Sequence, residues 1–128
     1  MDITTDELGS LLRRNDRIFL RLPIVRNGTF IIEKTIAFLK ELENAVNDID
    51  IIVYSKFQLT HLRVPESPKY AKSVLCEAAI KKSHPDVLPY TELIVSLPKT
   101  VPSEIVKSAA AMHEVEAIMF NDIDAIEK

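Results

Sequence analysis

Glycine is nearly absent from the sequence, which holds only Gly9 and Gly28 among 128 residues. Phosphate-binding loops of the GxxxxGK[ST] type and the dinucleotide pattern GxGxxG need several glycines, because the backbone must turn tightly and approach the ligand closely. The sequence therefore excludes both of these nucleotide-binding motifs.

Cysteine is also scarce, with Cys76 as its single occurrence. One thiol cannot build an internal disulfide framework or a thiolate zinc cluster, and it suits a reducing compartment. The three histidines, His61, His84 and His113, do not have the spacing of metal ligands. The sequence predicts no metal site and no cofactor.

Long apolar runs and a dominant charge are missing as well. Residues 1–16 begin with acids and lack the apolar core of a signal peptide, and no uncharged apolar stretch approaches the roughly 20 residues of a membrane span. The net charge is −3, from 19 acidic and 16 basic residues, which gives no general attraction to phosphate backbones or anionic lipid. We predict a cytoplasmic protein with no nucleic-acid partner and no membrane partner.

The composition is that of a globular protein, with 47% hydrophobic and 27% charged residues. A chain of this length has the usual size of one domain with one core. Residues 1–128 are therefore predicted to form a single α/β domain.

Four segments have the pattern of strands: residues 17–22, 50–54, 92–97 and 115–120. The first alternates apolar and polar side chains, whereas Asp50 to Tyr54 is a β-branched run typical of a strand buried on both faces. Residues 59–64 also alternate, which leaves an additional edge strand and an extended loop as open alternatives.

Helical spacing of apolar residues occurs between these strands. It predicts a helix over about residues 5–14, where Thr4 and Glu7 have the spacing of a capping box, and a long helix over 30–47. Ser67 and Pro68 favour the start of a third helix that ends near Ser83, and a short fourth helix carries Ile105, Val106, Ala109 and Met112.

Alternation of strands and helices indicates crossover connections. The predicted fold is a three-layer α/β sandwich with a mainly parallel sheet of four or five strands flanked by helices. The main alternative is an α+β arrangement in which residues 59–64 form an antiparallel hairpin with their neighbour. The side chains expected in the core include Leu39, Val53, Val74, Ile94, Val95 and Ile118.

Loops at the carboxyl ends of parallel strands meet at one sheet edge, where ligands of open α/β sheets bind. The loops that would share this edge carry cations and hydrogen-bonding side chains, a combination that suits a small anionic ligand such as a carboxylate or phosphate. The candidate ligand-binding residues are Arg26, Asn27, Thr29, Ser55, Lys56, Lys99, Thr100 and Asn121.

Catalytic groups do not stand out. Cys76 lies mid-helix, one position beyond the main apolar stripe and so at the border of core and solvent, and no GxSxG motif activates a serine. The favoured hypothesis is a non-catalytic small-ligand-binding or protein-interaction domain with a regulatory role. The alternative is a small transferase or hydrolase for a phosphorylated or carboxylated metabolite, in which either His61 or Asp122 is the acid–base residue.

Surplus apolar side chains indicate a homo-oligomer or a partner protein. Phe30 and Phe38 lie partly outside the main stripe of the long helix, and Ile80 extends the apolar surface of the next one. A helix packed deeply on a sheet gives the same pattern.

Overall fold

The computed structural model describes residues 2–26, 29–55, 60–66, 71–83 and 90–120, with backbone alone at 25–26, 29–30, 71, 82–83 and 90–91. The strands are β1 (Asp2–Thr4), β2 (Arg17–Pro23), β3 (Val25–Arg26), β4 (Thr29–Phe30), β5 (Asp50–Ser55), β6 (Thr60–Arg63), β7 (Tyr90–Pro98) and β8 (Ile118–Phe120). The helices are α1 (Thr5–Leu12), α2 (Ile32–Ala45), α3 (Ala71–Ser83) and α4 (Ser103–Met112). None of the described helices is long and apolar enough to span a membrane.

The main sheet has six strands in the order β1-β6-β5-β7-β2-β8, and all its pairings are antiparallel. The predicted mainly parallel sandwich is therefore wrong. Strands β2 and β5, on either side of α2, do run in the same direction, but β7 lies between them and opposes both. Helices α2, α3 and α4 do connect strands of the same direction, but in each case a strand of the opposite direction lies between the two.

The positions of the strands were predicted more accurately than their arrangement in the sheet. Residues 17–22, 50–54 and 92–97 are strands of this one sheet, but only 118–120 of the segment 115–120 is a strand. The segment 59–64 contains β6, which pairs antiparallel with β5 as the α+β alternative required. The short strands β1, β3 and β4 were not predicted.

Helices cover the two faces of the sheet unequally. Apolar side chains of α2, α3 and α4 pack with one face, which we call the first face. Helix α1 packs on the opposite, second face, where Leu8 and Leu12 join a smaller apolar cluster with Phe19, Ile52 and Ile94. The first face therefore holds the larger core.

The predicted capping box begins α1. The Thr4 hydroxyl accepts the Glu7 N–H, and the Thr4 N–H donates to the Glu7 carboxylate, at 3.2 Å each. These bonds satisfy donors that a helix start leaves open, and they fix the junction of β1 and α1. The predicted start of the third helix at Ser67 and Pro68 lies outside the described residues.

Four of the six expected core side chains are fully buried: Leu39, Val53, Ile94 and Val95. The other two, Val74 and Ile118, are each 52% exposed. The expectation for those two residues is wrong. Ile118 lies in the edge strand β8, and Val74 lies on the solvent side of α3.

The inward side of α3 instead carries Ser73, Cys76 and Ile80, at 0%, 0% and 3% exposed. The predicted border position of Cys76 is therefore wrong. Phe38 is also fully buried, so neither Phe38 nor Ile80 offers apolar surface to a second copy. The side chain of Phe30 lies outside the described residues.

Candidate interaction site

The polar loops predicted to bind an anion are not brought together. Ser55 ends β5, whereas Lys99 and Thr100 follow β7, which runs antiparallel to β5. Lys99 lies at the opposite edge of the sheet, where its N–H donates to the Asp16 carbonyl at 3.0 Å. The side chain of Ser55 is also closed to a ligand, since the residue is 1% exposed.

The other candidates give no further support. Arg26 and Thr29 pair with each other in the small β3–β4 sheet, and their side chains lie outside the described part. Asn27, Lys56 and Asn121 also lie outside the described residues. The shared sheet edge was the premise of the predicted anion site, and the antiparallel sheet removes it.

His61 has no free ring nitrogen to offer a substrate. The residue is 2% exposed, Nδ1 accepts the Ser55 N–H at 3.2 Å, and Nε2 lies 3.2 Å from the Thr5 hydroxyl. Burial lowers the pKa of His61 below its ordinary value. The other acid–base candidate, Asp122, lies outside the described residues.

Cys76 is unsuited to nucleophilic chemistry. Burial, with smaller contributions from Glu43 and Glu77, raises the pKa of its thiol to about 12. Because the thiolate is the reactive form, the thiol is inert at neutral pH. Among residues 2–26, 29–55, 60–66, 71–83 and 90–120, no group of three or more metal-ligating side chains comes together.

A groove lies between α2 and α4 in the helical layer. Lys34 near the start of α2 lies 3.4 Å from Glu114 just after α4, while Ala45 at the end of α2 shares the groove with Glu104 near the start of α4. The two helices are therefore antiparallel, and the groove runs along their outer seam. Its volume is about 310 Å³.

Small side chains line the groove between two large apolar ones. Ala45 comes from α2, and Ser108 and Ala109 come from α4. Ile105 and Met112, seven residues apart on α4, are 36% and 65% exposed. Residues at this spacing lie on the same side of a helix, so they form an apolar stripe along the groove with small side chains between them.

The charge of the groove is negative. Its charged lining residues are Glu41 and Glu104, without a lysine or arginine among the described lining residues. Glu41 is 40% exposed at its side chain, and its Oε1 lies 3.7 Å from the Nε2 of His113. That Nε2 is buried and has no hydrogen-bond partner within the described part of the chain.

The end of α4 fixes one end of the groove. Val115 N–H donates to the Ala110 carbonyl at 2.9 Å, and Glu114 N–H donates to the Ala111 carbonyl at 3.3 Å. This is the Schellman pattern, and Glu114 at its left-handed position has φ of 56°. The turn places Glu114 beside Lys34 and buries Val115.

Sequence reasoning did not find this groove, because it assigned Ile105, Val106, Ala109 and Met112 together to the apolar side of α4. Only Val106 and Ala109 are buried. These four residues cover a wider side of α4 than packing on the sheet requires. This excess width was the sequence signal for a second apolar surface on the helix.

Comparison with known protein families, with curated proteins and with solved structures found no match to this chain. The groove is therefore interpreted from its own geometry.

Proposed function

We propose that this chain is a non-catalytic protein-interaction domain, and that the α2–α4 groove binds one amphipathic helix with basic residues from a partner protein. The observation that carries the proposal is the exposed pair Ile105 and Met112 along a groove of small side chains. The enzyme alternative lacks a comparable observation, since His61 is closed off.

The shape of the groove favours a helix as its occupant. A partner helix presents side chains three, four and seven residues apart, which is the spacing that Ile105, Ser108 and Met112 present from α4. Alanine and serine between the apolar residues allow two helices to approach closely. An extended strand would instead need unpaired backbone groups, and α2 and α4 bond theirs internally.

The charge of the groove favours a basic partner. Glu41 and Glu104 lie at the groove, and a lysine or arginine on the bound helix would pair with them. An acidic helix would place like charges together, which costs binding energy. Part of the affinity should then fall with salt, since these carboxylates are partly exposed.

A defined probe tests the proposal: a synthetic amphipathic helix of leucine, alanine and lysine, with a matched peptide in which every lysine is replaced by glutamate. Methyl NMR reports where each peptide binds, because the sequence has only three methionines. We expect the basic peptide to shift the Met112 methyl in a saturable manner and the acidic peptide to leave it unchanged. The Met119 methyl in β8 serves as an internal reference outside the groove.

Variants locate the binding surface. Met112→Lys should weaken binding of the basic peptide at least tenfold, whereas Val74→Lys, on the exposed outer side of α3, should leave it unchanged. Equal loss in both variants would contradict the proposal. So would the absence of a Met112 shift at millimolar peptide, or equal binding of the acidic and basic peptides.

A further inference from the structure

His61 lies where the N-terminal segment meets the rest of the sheet. It stands opposite Ile3 in the β1–β6 register, and its ring stacks on Tyr54 of β5 with centroids 4.8 Å apart and planes at 10°. The residue is 2% exposed although its side chain is ionisable. Three elements, β1, β5 and β6, therefore meet around this imidazole.

The hydrogen bonds of His61 fix its protonation state. Nδ1 accepts the backbone N–H of Ser55, so Nδ1 carries no proton. The single proton of the neutral ring is then on Nε2, which donates to the hydroxyl of Thr5, the first residue of α1. The imidazole in this form joins α1 to the end of β5.

A second proton would break this arrangement. A protonated Nδ1 would place a donor against the Ser55 N–H, which removes this hydrogen bond and leaves two facing donors in a buried position. Burial alone lowers the pKa of His61, so no charged group of the described residues offsets the cost of a buried cation.

The charged neighbours on the surrounding elements have other partners or are exposed. Glu7 of α1 bonds Thr4, and Arg63 of β6 bonds Asp50. The remaining ones are Asp2 and Asp6, which are exposed, and Glu92 of β7, which stands opposite Tyr54 and bonds Arg21. Tyr54 itself is the titratable group in direct ring contact with His61.

The N-terminal segment is a cover for the second face. Ile3, Leu8 and Leu12 of this segment are buried against Phe19 and Ile52 of the sheet. The segment is short, with three residues in β1 and eight in α1. The segment is held by the three-residue pairing of β1 with β6, by these apolar contacts and by the bond of Nε2 to Thr5, so the loss of that one bond should shift its opening equilibrium.

We propose that His61 is an acid-sensitive latch, which holds the β1–α1 cover closed while it is neutral and favours its opening when it is protonated. This device lies away from the α2–α4 groove and does not depend on the function proposed for it.

The direction of the effect follows from linkage. The pKa of His61 is lowered in the closed state and returns to about 6.5 when the ring reaches water, so the open state binds more protons. The stabilisation by the latch is complete above pH 6.5 and is lost as the pH falls from 6.5 to the lowered pKa. The opening equilibrium should rise by up to about tenfold for each pH unit in that interval.

Amide hydrogen exchange tests the latch in the full chain. Protection factors, which are corrected for the pH dependence of intrinsic exchange, are compared at pH 7.5 and 5.5 for residues 2–12 and for residues 93–97 of β7. We expect protection of residues 2–12 to fall roughly fivefold to tenfold at pH 5.5 while that of β7 stays constant. Equal changes in both segments, or no change in residues 2–12, would overturn the proposal.

Two further measurements identify His61 as the group responsible. His61→Gln should abolish the pH dependence of residues 2–12, whatever its absolute protection, and the matched variant His113→Gln should retain it. Ring ¹⁵N NMR of the wild type should show the Nε2-protonated tautomer at pH 7.5, a result that needs no folded variant. An Nδ1-protonated ring, or pH dependence that persists in His61→Gln, would refute the latch.

Discussion

On the first face of the sheet, strands β2, β5 and β7 present apolar side chains to α2, α3 and α4, among them Leu20, Val53 and Val95. The second face mixes apolar side chains with Arg17 and Arg21, under the short helix α1. The helices of the first face bury two charged side chains with hydrogen-bond partners: Glu43 accepts the Ser73 N–H, and Lys72 donates to the Ile49 carbonyl. A single helix of eight residues leaves margins where charge can be kept.

The arginines of the second face differ in how far they are removed from water. Arg17 has its side chain 4% exposed, whereas those of Arg21 and Arg63 are 25% and 35% exposed. Each has an acidic partner, and Arg21 and Arg63 form two-point contacts with Glu92 and Asp50. The comparison therefore predicts that the first face depends on apolar volume and the margins of the second face depend on paired polar groups.

The largest effect is expected on the first face. Leu39→Ala should lower the free energy of unfolding by about 3 to 4 kcal/mol, since the side chain is fully buried and the packed helices can close little of the cavity. Leu8→Ala, in α1 on the second face, should cost about 2 kcal/mol, because two helical turns can readjust more easily. Urea unfolding followed by circular dichroism measures both, and an equal or larger cost for Leu8→Ala would contradict the proposed difference between the faces.

Arg17→Met tests the polar side of the comparison and should cost about 2 kcal/mol in the same measurement. The guanidinium donates to the hydroxyl and carbonyl of Ser96 and to Asp48, at 2.7 to 3.1 Å. Its removal leaves the buried Ser96 acceptors unsatisfied, while Asp48 is 73% exposed at its side chain and can be hydrated. Arg14→Met, which breaks an exposed pair with Asp16, is the control and should have no measurable effect. A stability of Arg17→Met equal to the wild type would show that apolar volume alone holds this margin.

The sequence predicts the local features of these two faces but not the order of the strands. The β-branched run from Asp50 to Tyr54 correctly indicates a strand buried on both faces, and the spacing of Thr4 and Glu7 correctly indicates a helix start. Both features are local. The neighbour of each strand is not local, and nothing in the periodicity of β7 states that it lies between β2 and β5.

The candidate site was lost for a related reason. The apolar residues of α4 predict that the helix is amphipathic, but they do not say which of them faces the sheet and which remains for a partner. The same applies to α3, where Val74 is exposed and Cys76 is buried, contrary to expectation. The sequence pattern does not determine which side of the helix turns toward the sheet. Packing decides such rotations, and packing depends on strand order.

A gain in stability is expected at the end of α4, the helix at one side of the first-face cover. Glu114 has φ of 56°, which costs a residue with a Cβ about 1 kcal/mol relative to glycine. Glu114→Gly should therefore raise the free energy of unfolding by about 1 kcal/mol, since the lost pair with Lys34 is exposed on both sides and contributes little. Glu116→Gly in the following segment is the control and should not stabilise the fold. A loss of stability in Glu114→Gly would mean that the pair with Lys34 outweighs the backbone strain.

The smallest change in stability is expected at Ile118, a side chain that the helices leave exposed. Ile118 belongs to β8, the strand at the end of the sheet, and stands opposite Arg21 on the second face at 52% exposure. Its truncation to alanine removes little buried area and leaves no closed cavity, so Ile118→Ala should change the free energy of unfolding by less than about 0.5 kcal/mol.

Val95→Ala, in the same sheet but fully buried under the helices of the first face, should cost about 1 to 3 kcal/mol. The two variants remove apolar atoms of the same kind from the same sheet, so the difference between them measures what the helical cover contributes. A cost for Ile118→Ala that matches the cost for Val95→Ala would mean that β8 is covered in solution, and it would make that edge, rather than the α2–α4 groove, the first surface to examine for a partner.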